Sequence, residues 1–527
     1  MMMSNKGIWR KRLYLLAIIS MIIRMIIAGF TEFGNDEVYY RLYALYPDWS
    51  HFDHPLMVGL VMQLFSFNMA FDSELFLRMS SIILGTINIF IVFNIGKTLK
   101  NSRLGFLSAL LYTSSIYAFV ITGIFILPDT PQQFFWLLSL NVMLKTLPTC
   151  PNIKTNAYRM LRMGLLIGLT IISKYTGVFL WFGAFLYILF FNREWLKKKW
   201  LYISIFLTFV VSLPILIWNF QNDFISFTFH EARVDVVGYH IDFDYFLTEV
   251  LGEFLYNNPV NYILIIIGIF AAFRNKLNIE RKHKNVILLA SLPLIFLFLG
   301  FSLFRSTLPH WTAPGITSLI FLAAAWLDQK FEKNHKKNII PWPIKLSLGI
   351  LILIVVLGFY QINYGLINIV KNDKYTELGS NDPSLDMFGY EQIGSEFANI
   401  YKKDISQGIM DKNSFMAGKK WFPLANFDYY VATPLGMKSY GFGGLEKIHK
   451  YAWINQINGK PELGMDAYYI TDSREYSSPN EFFKNYFDKV EVADTIQVYR
   501  SGKIAKRAFV FRLKTLKKLP ENYLNIE

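Results

Sequence analysis

The sequence predicts a polytopic α-helical membrane protein that carries a small α/β domain outside the cytoplasm at its C-terminal end. Three observations predict it. Apolar stretches of spanning length recur through the first two thirds of the 527 residues. Lys and Arg in the connections alternate between rich and poor. After Gln361 the apolar runs give way to polar–apolar alternation with Asp, Asn, Gly and Pro turn signals. Composition agrees: 53% of residues are hydrophobic and 17% charged, at a mean hydropathy of +0.30, whereas soluble domains carry about 25% charged residues. The 48 Phe, 30 Tyr and 12 Trp supply interfacial aromatics. Disorder, collagen-like repeats and a disulfide scaffold are excluded. A single cysteine, Cys150, excludes an internal disulfide and a cysteine metal cluster.

Eleven spans are predicted, at 13–30, 77–96, 104–127, 132–147, 161–173, 175–192, 200–218, 260–273, 285–303, 311–327 and 344–361. The first reads as a span rather than a cleavable leader, because no small-residue cleavage site follows Phe30. The fifth runs almost directly into the sixth through Ser173-Lys174-Tyr175. With a cytoplasmic N-terminus, the inner segments (1–12, 97–103, 145–162, 193–199, 274–284 and 328–345) hold 25 Lys and Arg. The opposite loops (31–76, 128–131, 174, 219–259 and 304–310) hold four, Arg41, Lys174, Arg233 and Arg305. Positive charge is retained on the cytoplasmic side, so this bias sets the topology. Much of the net charge of +14 reflects the same bias, which removes nucleic acid as a partner. The odd number of spans puts the tail in the periplasm or its equivalent. The expected organisation is a membrane region over 1–361, with outer loops 31–76 and 219–259, and an extracytoplasmic α/β domain over 362–527. Strand-like runs in the tail include Tyr468-Tyr469-Ile470 and Ile496-Gln497-Val498-Tyr499.

This topology gathers acids, bases and cations from distant positions at one face, where ionisable groups are costly and point to function. Asp36-Glu37 closely follow the first span. A carboxylate at a lipid–water boundary is partly desolvated and becomes a better base; the plainer reading is a solvated pair beyond a helix end. Asp53-His54 precede Pro55, and an Asp beside a His can bind a divalent ion or an anionic phosphate. The plainer reading is a helix cap before proline. Asp129, in Leu127-Pro128-Asp129-Thr130-Pro131, fits a helix cap with Pro131 at the first helical position. Lys174 is the only Lys in the outer loops of the membrane region, so it reads either as a snorkelling side chain or as a phosphate partner. Arg233 and Arg305 suit the phosphate role, since guanidinium binds phosphate through two hydrogen bonds. His310, in Pro309-His310-Trp311, is a further candidate within an aromatic belt.

Motifs of soluble enzymes are absent. Asn94-Ile95-Gly96-Lys97-Thr98 looks like the end of a phosphate loop, but Ile91 replaces the required glycine and the stretch ends a span. Gly441-Phe442-Gly443-Gly444 lacks the strand–helix context of a dinucleotide site and reads as a turn.

The order of the remaining motifs resembles that of the GT-C glycosyltransferases that use polyprenyl-phosphate sugars. The nearest likeness is to the bacterial dolichyl-phosphate-mannose–protein mannosyltransferase-like group, which includes the aminoarabinose transferase acting on lipid A. Seven stretches carry the resemblance: Asp36-Glu37-Val38-Tyr39-Tyr40, Phe52-Asp53-His54-Pro55-Leu56, Arg78-Met79-Ser80-Ser81, Leu127 to Pro131, Ser173-Lys174-Tyr175-Thr176-Gly177, Pro214 to Asn219, and Pro309-His310-Trp311. The likeness covers the membrane region from about residue 10 to 330, and the tail is similar to the family's outer α/β domain.

The resemblance implies a GT-C-like fold and an inverting transferase of the inner (plasma) membrane. Its donor is a sugar on a polyprenyl phosphate, and its acceptor an envelope lipid, glycan or protein. It implies Asp36 as general base and Glu37 and Asp129 as groups that orient the acceptor or tune Asp36. Lys174 would hold the leaving phosphate, with Arg233 or Arg305 assisting. The sequence departs at Asp53-His54, where lipid A aminoarabinose transferases typically show Glu-Lys-Pro. Asp53 and His54 are the candidate donors to a divalent cation, with His54 also a phosphate contact. The alternative from another class is a polytopic transporter or lipid flippase. Transporters place functional charge near the midplane and often show inverted repeats, whereas this sequence clusters charge at one face and shows no repeat.

Overall fold

The computed structural model describes residues 5–234, 241–333, 339–367, 369, 374–521 and 523. Ten of the eleven predicted spans fall mainly on helix; the third, 104–127, breaks at Ser115 and leaves the helix after Ile121. In chain order the helices of this region are α1 (Asn5–Gly29), α2 (Asn35–Leu45), α3 (Met57–Phe65), α4 (Glu74–Leu99), α5 (Ser102–Ser114), α6 (Asp129–Thr146), α7 (Lys154–Ile171), α8 (Phe179–Phe191), α9 (Lys199–Gln221), α10 (Ile225–Val234), α11 (Phe243–Tyr256), α12 (Pro259–Phe273), α13 (Arg281–Phe301), α14 (Ala313–Lys333) and α15 (Trp342–Tyr364). Among the described residues, α1, α4, α9, α13 and α15 are individually long and apolar enough to cross a membrane. The cap reading at Asp53-His54-Pro55 places a helix after Pro55, where α3 begins; α2, α10 and α11 are not marked as helices in the sequence, because each is short and lies in a loop with polar flanks. α11 meets α12 at a bend of 102°, where Asn258 takes a left-handed conformation at φ 68°.

The chain divides into two compact units. One comprises residues 1–27 and 48–354, the other residues 28–47 and 355–527. In the first, helix contacts depend on small residues, as expected where lipid is as apolar as Leu. A Cβ added at Gly164 of α7 would come within 2.2 Å of the Ser204 carbonyl of α9. That close approach lets Ser204 Oγ donate to the Met160 carbonyl (2.6 Å) and Thr208 Oγ1 to the Gly164 carbonyl (2.7 Å). A buried polar network joins α5, α12 and α15. Asn258 Nδ2 donates to the carbonyls of Ser114 and Ser347 (2.9 and 2.8 Å), and Ser347 Oγ donates to Asn261 Oδ1 (2.8 Å). Every member is satisfied by another, which is what makes such a network tolerable away from water. At the turn between α4 and α5, Lys100 and Arg103 both bind Asp328 of α14, at 2.7 and 2.8 Å.

The helix after α5 widens into a π turn over Tyr117–Ile121. Such a turn leaves carbonyls without their usual i+4 donors. Arg24 of α1, fully buried, supplies two: Nε donates to Phe119 O (3.2 Å) and Nη2 to Ala118 O (3.1 Å). Its guanidinium lies 4.6 Å from the Phe119 ring centroid. Gly123 leaves the room, since a Cβ there would come within 2.6 Å of Arg24 Nε.

The second unit contains a five-stranded sheet in the order β2-β1-β3-β5-β4. Its strands are β1 (Phe415–Gly418), β2 (Ser439–Gly441), β3 (Ala467–Asp472), β4 (Phe487–Arg500) and β5 (Lys503–Leu516), and its helices α16 (Tyr390–Ser406), α17 (Trp421–Phe427), α18 (Leu445–Ile448) and α19 (Tyr451–Asn458). β1 is parallel to β2 and β3, and β5 is antiparallel to β3 and β4. Ser501 and Gly502, at φ 50° and 77°, form the two-residue hairpin turn between β4 and β5. Both strand-like runs expected in the tail lie in this sheet, in β3 and β4. Gly441 ends β2, and Phe442 to Gly444 form the turn that follows it. Phe415, Phe442, Tyr469, Phe487 and Phe511 build the core on one sheet face.

Replacing Arg24 with Met removes both donors to the π-turn carbonyls while keeping an apolar stem. The Ala118 carbonyl keeps a long bond from Thr122 Oγ1 (3.5 Å), and an orphaned buried acceptor such as Phe119 O costs about 1–3 kcal/mol. Thermal melts of the purified protein should therefore show Arg24→Met clearly destabilised and Gly349→Ala, where the added methyl meets nothing within 4 Å, unchanged or slightly stabilised. Equal melts for the two variants would refute this role of Arg24.

Candidate functional site

In the first unit, the centre of the site is a buried ion pair. Lys174 Nζ donates to both carboxylate oxygens of Asp129, at 2.9 and 2.8 Å. The two residues are 6% and 2% exposed. Lys174 sits at the N-terminus of a 3-10 turn over Tyr175–Val178, between α7 and α8, and Asp129 opens α6. The structure thereby resolves the reading of Asp129 as a helix cap: the cap position is Pro128, no side chain caps α6, and the carboxylate is held by Lys174. Lys174 is not a snorkelling side chain either.

Three elements surround the pair. Tyr117, at the start of the π turn, donates its hydroxyl to Asp129 Oδ1 at 3.3 Å. The segment between the turn and α6 is fixed at the Phe125 carbonyl, which accepts from Ser81 Oγ of α4 (2.7 Å) and Thr130 Oγ1 (3.2 Å). Gln132 Nε2 donates to Thr176 Oγ1 at 2.6 Å, so α6 is also joined to the turn that carries Lys174. His310 lies in a 3-10 turn over Pro309–Trp311, where Asp129 and Lys174 are its charged neighbours. Burial holds its imidazole pKa down, to about 4, with the Asp129 charge opposing that shift.

Asp53 and His54 sit in a second cluster of the same unit. Asp53 is 8% exposed, and its carbonyl accepts from His230 Nε2 at 2.8 Å. The ring of His230 is 5.1 Å from that of Tyr175 and 6.2 Å from that of His54. Tyr175 therefore links the two clusters, being adjacent in sequence to Lys174. The connection is anchored further by Ser226 Oγ donating to the His51 carbonyl (3.1 Å) and Trp218 Nε1 to Asp48 Oδ2 (2.9 Å). Among the described residues, no group of three or more His, Cys, Asp or Glu side chains is arranged to hold a metal ion. Arg305 is partly buried in the turn after α13. The side chain of Arg233, near the end of α10, lies outside the described residues.

Asp36 and Glu37 belong to the second unit, in the first turn of α2. Glu37 is buried, and its Oε2 accepts from the Gly34 N–H at 2.9 Å, closing the N-terminal cap. Asp36 faces outward and is exposed.

Tyr117, Tyr175 and His230 were not assigned roles from the sequence. Tyr175 was within reach, standing beside Lys174 in a quoted motif. Tyr117 has no local signal, because its approach to Asp129 depends on the π turn.

Residues 53–218 match the family model described as dolichyl-phosphate-mannose-protein mannosyltransferase. Among curated proteins, no sequence matches the chain. The structure is similar to that of ArnT from Cupriavidus metallidurans in the apo state, with a TM-score of 0.63 at 13% identity over 95% of this chain and 98% of that one. It is equally similar to the same protein bound to undecaprenyl phosphate, with a TM-score of 0.63 at 14% identity over 96% and 98%. The chain therefore has the GT-C fold of ArnT along nearly its whole length, that of a multi-pass membrane protein with a C-terminal sheet domain. The expected resemblance is borne out.

The depressed pKa of His310 has a measurable consequence. Between its ordinary value of 6.5 and about 4, the unfolded chain binds a proton that the folded chain does not, so stability falls as pH drops through this window. Melting curves at pH 7 and pH 5 should show a smaller acid-induced loss for His310→Gln than for the wild type. An identical loss would contradict a neutral His310.

Proposed function

We propose that the protein is an integral-membrane inverting glycosyltransferase that moves a sugar from a polyprenyl-phosphate carrier to an envelope lipid, glycan or protein on the outer face of the inner membrane. One observation supports it most: the buried Lys174–Asp129 pair, ringed by Tyr117 and His310, in a chain with the fold of ArnT. Asp129 and Tyr117 keep the Lys174 ammonium oriented in a low-dielectric site, where a fixed positive charge stabilises a departing phosphate most strongly. Arg305 and Arg233 would assist.

In the proposed reaction an acceptor hydroxyl attacks the anomeric carbon and its proton passes to the Asp36 carboxylate. The bond from that carbon to the phosphate oxygen breaks, with inversion, and the electron pair leaves on the polyprenyl phosphate. The additional negative charge develops on the phosphate that Lys174 would hold. Glu37, occupied in the cap of α2, acts by fixing the first turn from which Asp36 projects. Asp53 and His54 provide two side-chain donors, short of the three or four in protein zinc sites; with a donor phosphate they would suffice only for a more loosely held, oxygen-bound divalent ion.

Asp36→Asn should lower transfer at least about 100-fold, the scale of a lost general base, without changing expression or melting temperature. The measurement is mass spectrometry of envelope lipids and glycoproteins from a deletion strain complemented with wild type or variant. A sugar-sized mass restored equally by both would remove Asp36 as the base.

Lys174→Ala should weaken binding of undecaprenyl phosphate far more than Lys197→Ala, a control in an exposed turn paired with Glu194. Equal affinities in a lipid-nanodisc titration would remove the phosphate role.

A further inference from the structure

The least expected feature is where residues 28–47 fold. They join residues 355–527 in one compact unit, so the helix bearing Asp36 is built into the C-terminal domain. An 11-residue helix is marginal alone in water. Its order comes from what encloses it: Glu37 to Ala44 are all buried.

The enclosure is specific. Tyr39 packs 4.9 Å from the ring of Trp421 and 5.9 Å from that of His449, which lie 5.7 Å apart from each other. The guanidinium of Arg41, buried in the same helix, lies 4.6 Å from the Tyr429 ring centroid. Just before α2, Phe33 N–H donates to the Tyr430 hydroxyl at 2.7 Å. Glu32 accepts from the N–H groups of Tyr390 and Glu391, at 2.7 and 3.3 Å, and so caps α16 where the helix dipole favours an anion. Burial raises the Glu32 pKa against those two bonds. Both the approach to α2 and its middle are thus held by residues some 360 to 410 positions later in the chain. Asp36 alone of the Asp36-Glu37 pair faces outward.

We propose that the C-terminal domain is the positioning device for the Asp36 carboxylate, with Trp421 and Tyr429 as positioning residues that act through Tyr39 and Arg41. This rests on the reading of Asp36 as general base and adds a task to the tail: it holds the base rather than only covering the site or selecting the acceptor.

The test uses the full chain in lipid nanodiscs, with a nitroxide spin label at Asp36→Cys in a Cys150→Ser background, since Cys150 is exposed. Trp421→Ala should convert an immobilised spectrum into a mobile one, and Trp421→Phe should restore most of the immobilisation. Tyr429→Leu is a second, milder variant should Trp421→Ala not purify as a single species. Without the label, Trp421→Ala should lower sugar transfer in the complementation assay at least about 10-fold, with Trp421→Phe recovering it. Affinity for undecaprenyl phosphate should stay within about twofold of wild type, because Lys174 belongs to the other unit. An immobile label together with wild-type transfer in Trp421→Ala and Tyr429→Leu overturns the proposal, as does a loss of undecaprenyl phosphate binding equal to the loss of transfer. A mobilised label beside a fully active Asp36→Asn enzyme fails the base assignment instead and supports the tail's hold on α2.

Discussion

The site depends on a guanidinium that never approaches its chemistry. A helix within a bilayer has no water to complete a broken hydrogen-bond ladder, so the π turn at Tyr117–Ile121 survives because Arg24 donates to the carbonyls it releases. From that turn follow the direction of Tyr117, the path through Phe125 to Pro128, and the entry of α6 with Asp129 at its first residue. Lys174 has a fixed partner only because this sequence of placements delivers one. A charged side chain buried in a span is expensive, and here the cost is offset by two carbonyl acceptors and an aromatic face.

The ion pair that results is poor evidence of stability, since desolvating both charges can cancel their attraction. Its value is in preorganisation. Both Asp129 oxygens face one ammonium, the Tyr117 hydroxyl takes a further lone pair, and Gln132 ties the two backbones together through Thr176. Buried networks elsewhere in the bundle, such as Asn258 and Asn261 with Ser114 and Ser347, use uncharged groups for the structural task. Charged groups are buried at the Lys174 cluster, at the Asp328 contacts with Lys100 and Arg103, at Arg24, and at Glu249 and Glu253 of α11, which accept from Thr307 and Thr312.

The helices of the membrane region were legible because runs of apolar residues near twenty in length have few other solutions. The tail sheet was legible from alternation and turn residues, and Tyr468 to Ile470 fall in β3 as expected. The candidate residues were legible by type and compartment, but their pairings were not. Lys174 has no carboxylate nearby in sequence, and its partner is 45 residues away, brought near by the packing of α6 against α7. The helix α2 was missed because its burial comes from Trp421, Tyr429 and His449, and nothing within residues 35–45 announces aromatic partners from the far end of the chain.

Residues 28–47 leave the ribosome long before the strands and helices that enclose them. Trp421 follows Tyr39 by about 380 residues, and at about 5–20 residues per second the delay is on the order of 20 to 75 seconds. During that interval Phe33, Tyr39, Tyr40 and Tyr43, all buried in the finished fold, stay unsheathed at the membrane surface while every later span is inserted. Biogenesis therefore runs in a fixed order, with the bundle threaded first and the N-terminal segment captured last, when the tail closes over it. A chain interrupted before Trp421 would keep the residues of its Lys174–Asp129 pair and lack any seat for α2, so a translational truncation product would carry the membrane core without an ordered α2.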